Sequence, residues 1–373
     1  MTGQPYISVI VTAYNRRRYL PFALRSLEAQ TLPRDRFEVI VVKNFDDKES
    51  DDIISRNGWK DVYNDDSYHG RKILAGLEES RGDVITFLED DDMYVKNRLE
   101  EAYKAFTSYD RLVYFQNSQT IIDGNGNALE RPRALSVSKN LVGGSPIVID
   151  VDKLRGLAKR YNVSVIDLVL KVRAGADFNS SSMAVRRPVL ESHVQLLKRL
   201  PIGIDNFVFV SSLKAGGLMY FTDERLTLYR VHGESWSYYA WSYYAPVAKG
   251  EINEMYLRRV SARLQAINTW RLMCSRLLDD DVNQYLCLER LNRGSLLLRL
   301  QPELGTLPPE LRLSLSDVKL ALRCYKIGYE SLTDAIFAMG LALLGPLLAS
   351  PKGRDFISKL ANGIHKSLRR QES

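Results

Sequence analysis

The N-terminal third of the chain alternates short β-branched apolar runs with segments whose apolar residues recur at helical spacing. Ile7 to Ala13 is a strand-like run, Arg17 to Gln30 is amphipathic, and Phe37 to Val42 is a second strand. Pro21 lies inside the first helical pattern and marks where that helix begins. Asp61 to Asn64 reads as a short third strand, His69 to Ser80 as a helix closed by Gly82, and Asp83 to Leu88 as a fourth strand running into acids. This rhythm predicts a parallel sheet built from βα units. Leu112 to Gln116 is a further strand, and Asp123-Gly124-Asn125-Gly126 is a hairpin-type turn before Ala128 to Glu130.

Between Leu135 and Ala176 the rhythm lapses. Lys153 to Arg173 carries apolar residues at helical spacing, which predicts a helical insertion over about 136–176. A strand at Ser181 to Val185, a helix at Pro188 to Leu200, the segment Ile204 to Gly217 and a strand at Leu226 to His232 complete one α/β domain, residues 1–235. Residues 236–373 read as a helical region rich in Leu and Arg, in which Ser237-Tyr238-Tyr239-Ala240 recurs as Ser242-Tyr243-Tyr244-Ala245, a local echo rather than a domain repeat. Ala335 to Ala349 is strongly apolar, but its 15 residues and its Gly345-Pro346 pair fall short of a span. A bilayer crossing needs about 20 residues, so a buried or interfacial helix is expected. In Arg354 to Arg370 the residues Phe356, Ile357, Leu360, Ala361, Ile364 and Leu368 share one helical face, suited either to anionic lipid or to docking on the same protein.

Composition narrows the classes. The 373 residues, 45% hydrophobic and 26% charged, exclude a disordered, collagen-like or disulfide-scaffold chain. The net charge of +7 favours anionic partners such as nucleotides, phosphates or acidic lipid. Cys274, Cys287 and Cys324 are odd in number and lack metal spacing, which predicts reduced packing thiols. Met1 to Tyr6 has no basic leader, so a cytoplasmic location is expected, with the cytoplasmic membrane face as a variant of it.

The strongest chemical signal is Val84-Ile85-Thr86-Phe87-Leu88-Glu89-Asp90-Asp91-Asp92, a buried-type strand ending in four carboxylates. In an open α/β sheet, ligands bind beyond the carboxyl ends of the strands, where hard oxygens suit Mg²⁺ or Mn²⁺ bridging a diphosphate. Taken alone, such a run also fits a solvated face or a helix cap. Together with Thr12-Ala13-Tyr14-Asn15-Arg16 after the first strand and Ser80-Arg81-Gly82-Asp83 before the fourth, it resembles the family 2 glycosyltransferases over about residues 6–235. That resemblance implies the GT-A nucleotide-diphospho-sugar transferase fold, a mixed, mainly parallel sheet flanked by helices, here with a helical C-terminal extension.

The resemblance also implies site roles. Asp91 and His232 would hold the metal ion, Mn²⁺ or Mg²⁺. Thr12, Ala13, Tyr14, Asn15, Asn44, Lys72, Glu89, Asp90, Ser181 and Arg230 would bind the donor, and Asp205 would be the general base. Glu89 stands where the family has Asp, Val42-Lys43-Asn44-Phe45-Asp46-Asp47 where it has an acidic turn, and Ile204 where it has a second acid before Asp205. Arg230 and His232 fall in Tyr229-Arg230-Val231-His232, and Ser181 in Phe178-Asn179-Ser180-Ser181-Ser182, a segment that lines a sugar pocket in the family. Trp236 to Tyr244 reads as a lid, an acceptor platform or packing of the helical region. The implied activity is metal-dependent inverting transfer of a sugar from a nucleoside-diphosphate donor to a glycan or lipid-linked hydroxyl, with peripheral membrane contact through the C-terminal region and no nucleic-acid partner. The alternatives are a non-catalytic sugar- or nucleotide-binding protein and, less well supported for want of a Gly-rich loop at Thr12 to Arg18, a sugar nucleotidyltransferase.

Overall fold

The computed structural model describes residues 6–129, 146–161 and 165–232, then positions 269, 273, 318, 319 and 322 and the segments 332–348, 350–356 and 359. Two compact units divide the chain: Met1–Tyr238 with Arg276–Leu278, and Tyr239–Ser275 with Asp279–Ser373. The three cysteines, the Trp236 to Tyr244 stretch and most of Arg354 to Arg370 lie outside the described residues.

Among the described residues the first unit is built on a nine-stranded mixed sheet in the order β3-β2-β1-β4-β8-β6-β9-β5, with β7 pairing β9. Its parallel half comprises β1 (Ile7–Ala13), β2 (Phe37–Lys43), β3 (Lys60–Tyr63) and β4 (Val84–Glu89). All seven residues of β1 are buried, as expected for a central parallel strand covered by helices on both faces. Its register against β4 runs from Ile7 opposite Val84 to Thr12 opposite Glu89, so both strands end at the same edge.

The helices follow from local chemistry. In α1 (Leu20–Glu28) Pro21 sits in the first turn, and Leu20, Ala23, Leu24 and Leu27 form the buried stripe. Helix α2 (Lys48–Arg56) is capped by Asp47, whose carboxylate accepts the Ser50 N–H at 3.1 Å. Helix α3 (His69–Glu79) lies hard against β1: a Cβ at Gly76 would come within 2.5 Å of Ile10 Cγ2. At its start the N–H groups of His69 and Gly70 donate to the carbonyls of Pro201 and Leu200 at 3.1 and 3.0 Å. A Cβ at Gly70 would meet the Leu197 carbonyl oxygen at 1.9 Å, so only glycine allows that approach.

Beyond β4 come β5 (Met93–Tyr94), α4 (Arg98–Ser108), β6 (Leu112–Ile122), β7 (Ile147–Asp150), α5 (Val151–Tyr161), α6 (Val165–Val172), β8 (Met183–Arg186), α7 (Arg187–Glu191), α8 (Val194–Leu197), α9 (Ile204–Ala215) and β9 (Leu218–Arg230). Several depart from the sequence expectation. The insertion is not purely helical, because β7 adds antiparallel to β9. The helix expected over Pro188 to Leu200 breaks into α7 and α8, and the strand expected from Ser181 begins with a 3₁₀ turn at Ser180–Ser182. Strand β9 starts eight residues before the expected Leu226, because its polar middle, Thr222 to Arg225, passes through register shifts against β6 and keeps the pairing. Neither α4 nor β5 was expected.

In the second unit, α10 (Leu332–Leu343) and α11 (Gly345–Leu348) occupy the apolar segment. Among the described residues no helix is long and apolar enough to cross a membrane.

Candidate active site

Parallel packing of β1 and β4 delivers Thr12 and Glu89 side by side, and the Asp90 N–H continues the ladder by donating to the Thr12 carbonyl at 3.1 Å. The chain then turns, the Asp92 N–H donating to the Glu89 carbonyl at 3.1 Å, so that successive carboxylates point to different neighbours. Asp90, Asp91 and Asp92 are all buried.

Glu89 is held by three side chains. Thr12 Oγ1 donates to Oε2 at 2.9 Å, Ser180 Oγ donates to Oε1 at 2.9 Å, and His69 Nε2 lies 3.2 Å from Oε1. Burial pushes the Glu89 carboxyl up, but the His69 charge and the bonds from His69, Thr12 and Ser180 overcome it and hold the pKa at about 2. Thr12 Oγ1 is also 3.3 Å from His69 Nε2. The extra methylene of Glu, relative to the Asp of the family pattern, is thus taken up by a fixed network.

Asp90 forms a two-point pair with Arg16, with Nε donating to Oδ2 at 3.0 Å and Nη2 to Oδ1. The same Nη2 lies 3.0 Å from Asp91 Oδ2, and His232 Nε2 is 3.0 Å from that oxygen as well. Burial raises the Asp90 pKa while Arg16 opposes it. Arg16 itself is raised, because Asp90, Asp91 and Glu89 more than offset its burial. The His232 ring packs against Tyr19 with centroids 4.6 Å apart.

Asp92 faces neutral donors. The Arg230 backbone N–H reaches Oδ1 at 2.9 Å and Asn179 Nδ2 reaches Oδ2 at 3.2 Å. Burial, reinforced by the Asp91 charge, raises its pKa. The Arg230 guanidinium points elsewhere, donating to the carbonyls of Asp91, Asp123 and Gly124 at 2.8, 3.1 and 3.3 Å. It clamps the acidic turn to the loop after β6. Ser181 is fully buried, its Oγ accepting the Glu89 N–H at 3.1 Å, so it braces the acids from behind.

Asp205 stands in the first turn of α9 and is half-buried. It accepts the backbone N–H groups of Asn206 at 2.9 Å and Asn179 at 3.4 Å. Burial raises its pKa, those bonds lower it, and Glu89 raises it further while His69 lowers it, which puts Asp205 in the same electrostatic field as the Glu89 network. Ile204, in the place of the family's second acid, is 2% exposed and belongs to the core. Asn179 reaches both Asp92 and Asp205 from a left-handed backbone, φ 68°, that non-glycine residues adopt rarely.

At the tips of β1 and β2, Asn15 and Asn44 exchange two bonds of 2.8 Å: the Asn15 N–H donates to Asn44 Oδ1, and Asn44 Nδ2 donates to Asn15 Oδ1. Asn15 is the other left-handed non-glycine residue, φ 55°. Lys43, in the segment that stands where the family has an acidic turn, is buried between Asp51 and Asp61 at 3.1 and 2.9 Å. Ala13 is buried as the last residue of β1, and Tyr14 is partly exposed. Lys72 Nζ lies 4.1 Å over the Tyr14 ring, and this side chain, 6% exposed, makes no hydrogen bond or ion pair among the described residues. Burial lowers its pKa, and the charges of Glu89, Asp90 and Asp66 pull the other way.

Two features escaped the sequence reading. His69 figured there only as a helix start, and Arg16 only as part of a motif. Neither signal is local: each depends on which strands lie side by side.

No three His, Cys, Asp or Glu side chains among the described residues converge as a metal cluster. Asp91 and His232 nonetheless fit half of one, a hard oxygen and an imidazole nitrogen 3.0 Å apart at the carboxyl edge of the sheet. Mg²⁺ and Mn²⁺ sites commonly take one or two protein ligands and fill the rest with water and phosphate oxygens.

Residues 8–164 match the family model described as Glycosyl transferase family 2. An uncharacterized glycosyltransferase of Nostoc sp. is 29% identical over 131 residues, which cover 34% of this chain and 40% of that protein. This chain therefore matches less than half the length of that relative. Of solved structures, S. aureus TarS 1-349 aligns over 94% of this chain and 88% of its own at 15% identity, with a TM-score of 0.49. The mannosyltransferase PcManGT from Pyrobaculum calidifontis, in complex with GDP-Man and Mn²⁺, aligns over 92% and 88% at 15% identity, with a TM-score of 0.47.

Proposed function

The N-terminal domain of this chain belongs to glycosyltransferase family 2, matched over residues 8–164, and on that premise we propose that the protein transfers a sugar from a nucleoside-diphosphate donor to a hydroxyl acceptor with inversion at the anomeric carbon. The observation that carries this reading is the edge at which Glu89 to Asp92 meet Arg16, Lys72, His69 and His232, with Asp205 facing the same network. Acids, two cationic side chains and two imidazoles held together there suit a ligand that carries both a sugar and a diphosphate.

Asp205 is the general base. Among the described residues no cation forms an ion pair with it, and its raised pKa makes it a better proton acceptor near neutrality. It removes the proton of the acceptor hydroxyl as the oxygen bonds to the anomeric carbon and the bond to the diphosphate breaks. Lys72 supplies unpaired positive charge for a phosphate, and the Asn15 and Asn44 amides present donors and acceptors to the base or ribose. Glu89, held fully ionised, accepts from the ribose hydroxyls. Asp91 and His232 would hold the divalent ion, which when bound stabilises the charge on the departing diphosphate.

The acceptor is proposed to be a glycan or a lipid-linked alcohol at a membrane surface. Exposed Ile336, Leu343, Leu344, Leu347 and Phe356 on the second unit support the lipid-linked case, and flotation with anionic liposomes, with and without residues 330–373, tests it. The donor is tested by thermal unfolding with UDP-, GDP- and dTDP-sugars and Mn²⁺, since a ligand that binds only the folded form raises its apparent stability. One class is expected to raise the midpoint in wild type and to lose that effect in Asp91→Ala. No shift with any donor, and no sugar transfer, would remove the assignment.

A further inference from the structure

Asp90 and Asp91 are adjacent and buried, and among the described residues the Arg16 guanidinium reaches both, while the His232 ring reaches Asp91. Two carboxylates so placed cannot both stay ionised without a counter-charge, because burial and mutual repulsion each favour the neutral acid. Other basic groups nearby do not pair with these two carboxylates among the described residues: the Arg230 guanidinium donates to main-chain carbonyls, Lys72 lies over the Tyr14 ring, and His69 faces Glu89 and Thr12.

Arg16 is also the most exposed member of the set. It stands on the loop between β1 and α1, next to left-handed Asn15, and its side chain is 21% exposed against 3% and 11% for Asp90 and Asp91. Its Nη2 contacts Asp91 Oδ2, the oxygen that also faces His232. That oxygen has two lone pairs, faced by Arg16 Nη2 and His232 Nε2, so a metal ion held there with His232 competes with Arg16 for its place.

We propose that Arg16 is the resident counter-ion of the Asp90–Asp91 pair, displaced from Asp91 when a divalent ion binds and turned outward onto the donor's diphosphate, so that ion and nucleotide bind as a coupled pair. The inference rests on the assignment of Asp91 and His232 to the metal. It predicts weak binding of the ion alone, because the ion must evict a well-placed cation. A nucleoside diphosphate strengthens that binding by giving Arg16 a new anionic partner. Reciprocity then requires the ion to strengthen nucleotide binding by the same factor.

The test measures free Mn²⁺ by electron paramagnetic resonance over the metal-stripped full chain, alone and with UDP or GDP. In wild type the nucleotide should tighten Mn²⁺ binding by about tenfold or more, within the usual range of coupling between sites. In Arg16→Gln, Mn²⁺ alone should bind about tenfold tighter than in wild type, with the nucleotide adding little. The metal-free variant should melt earlier and recover with Mn²⁺. Arg16→Lys, which reaches one acid rather than bridging two, should fall between them and carries the test if Arg16→Gln does not fold. Unchanged Mn²⁺ affinity and unchanged nucleotide enhancement in these variants would overturn the inference while leaving the proposed function standing. Absence of both Mn²⁺ and nucleotide binding in wild type would overturn the two together.

Discussion

The two ends of the acidic turn are three residues apart, and their surroundings push them in opposite directions. At the Glu89 end, an imidazole and two hydroxyls converge on the carboxylate and fix its charge. At the Asp92 end, a main-chain N–H and a side-chain amide supply neutral bonds only, and burial beside Asp91 favours the protonated form. Similar acids on one turn therefore differ by what packs around them. Glu89 is suited to hold a polar ligand, and Asp92 to tie the turn to β9. Asn179 ties the Asp92 end to Asp205, since its amide bonds Asp92 while its N–H bonds Asp205.

The largest expected effect breaks the link to chemistry. Asp205→Asn should lower the turnover number by about a thousandfold, the usual scale for losing a general base. Its melting temperature should stay near wild type, because neither of its bonds is to a charged partner. Turnover within a few fold of wild type would remove Asp205 from its role.

Next in size is the Glu89 end. Because Glu89 raises the Asp205 pKa and the base works deprotonated, the acid limb of the pH–rate profile should lie above the ordinary carboxylate range and move to lower pH in Glu89→Gln. Stability should respond too. With a folded pKa of about 2 against 4.5, Glu89 contributes stability that is fully present above pH 4.5 and is lost as the pH falls from there toward 2. Melting of the metal-free protein across that window should flatten in the variant.

Smallest is the Asp92 end, where the sign reverses. A raised carboxylate pKa is a penalty that appears as the pH rises above 3.8, so Asp92→Asn should remove it near neutrality. Among the described residues Asn179 Oδ1 is buried without a partner, and a flip of that amide would let it accept from the new Asn. The metal-free variant should melt a few degrees higher, about 2–4 °C for a gain near 1 kcal/mol in a unit the size of the first. A clear loss of stability would mean that Asp92 is ionised as Glu89 is, and the contrast would fail.

Much of the parallel half was legible in the sequence, because central strands there are runs of buried β-branched residues and the helices carry their own stripes and caps. Strand β1 has the bounds expected, and Pro21 does open α1. The acids were legible for the same reason, as a polar interruption at the end of a buried strand. The other half was less so. Helix α4 hides its stripe of Leu99, Ala102, Ala105 and Phe106 among charged neighbours, and β7 gains its identity only by pairing with β9. Nothing local reveals that Asp51 and Asp61 close over Lys43. His69 reaches Glu89 only because α3 is drawn toward residues 197–201 through Gly70.

Strand β9 carries a further consequence. Its pairing with β6 slips around Ser118, where residues 223, 224 and 226 find no opposite number, before resuming through Tyr229 and Arg230. Side chains alternate faces along a strand, so the count of residues in that irregular stretch decides whether Arg230 and, two positions on, His232 arrive at the acids or turn their backs on them. Deleting one residue there would leave every group of the pocket in the chain and still dismantle it, as a zip engaged one tooth out of step closes along its length and never meets at the end.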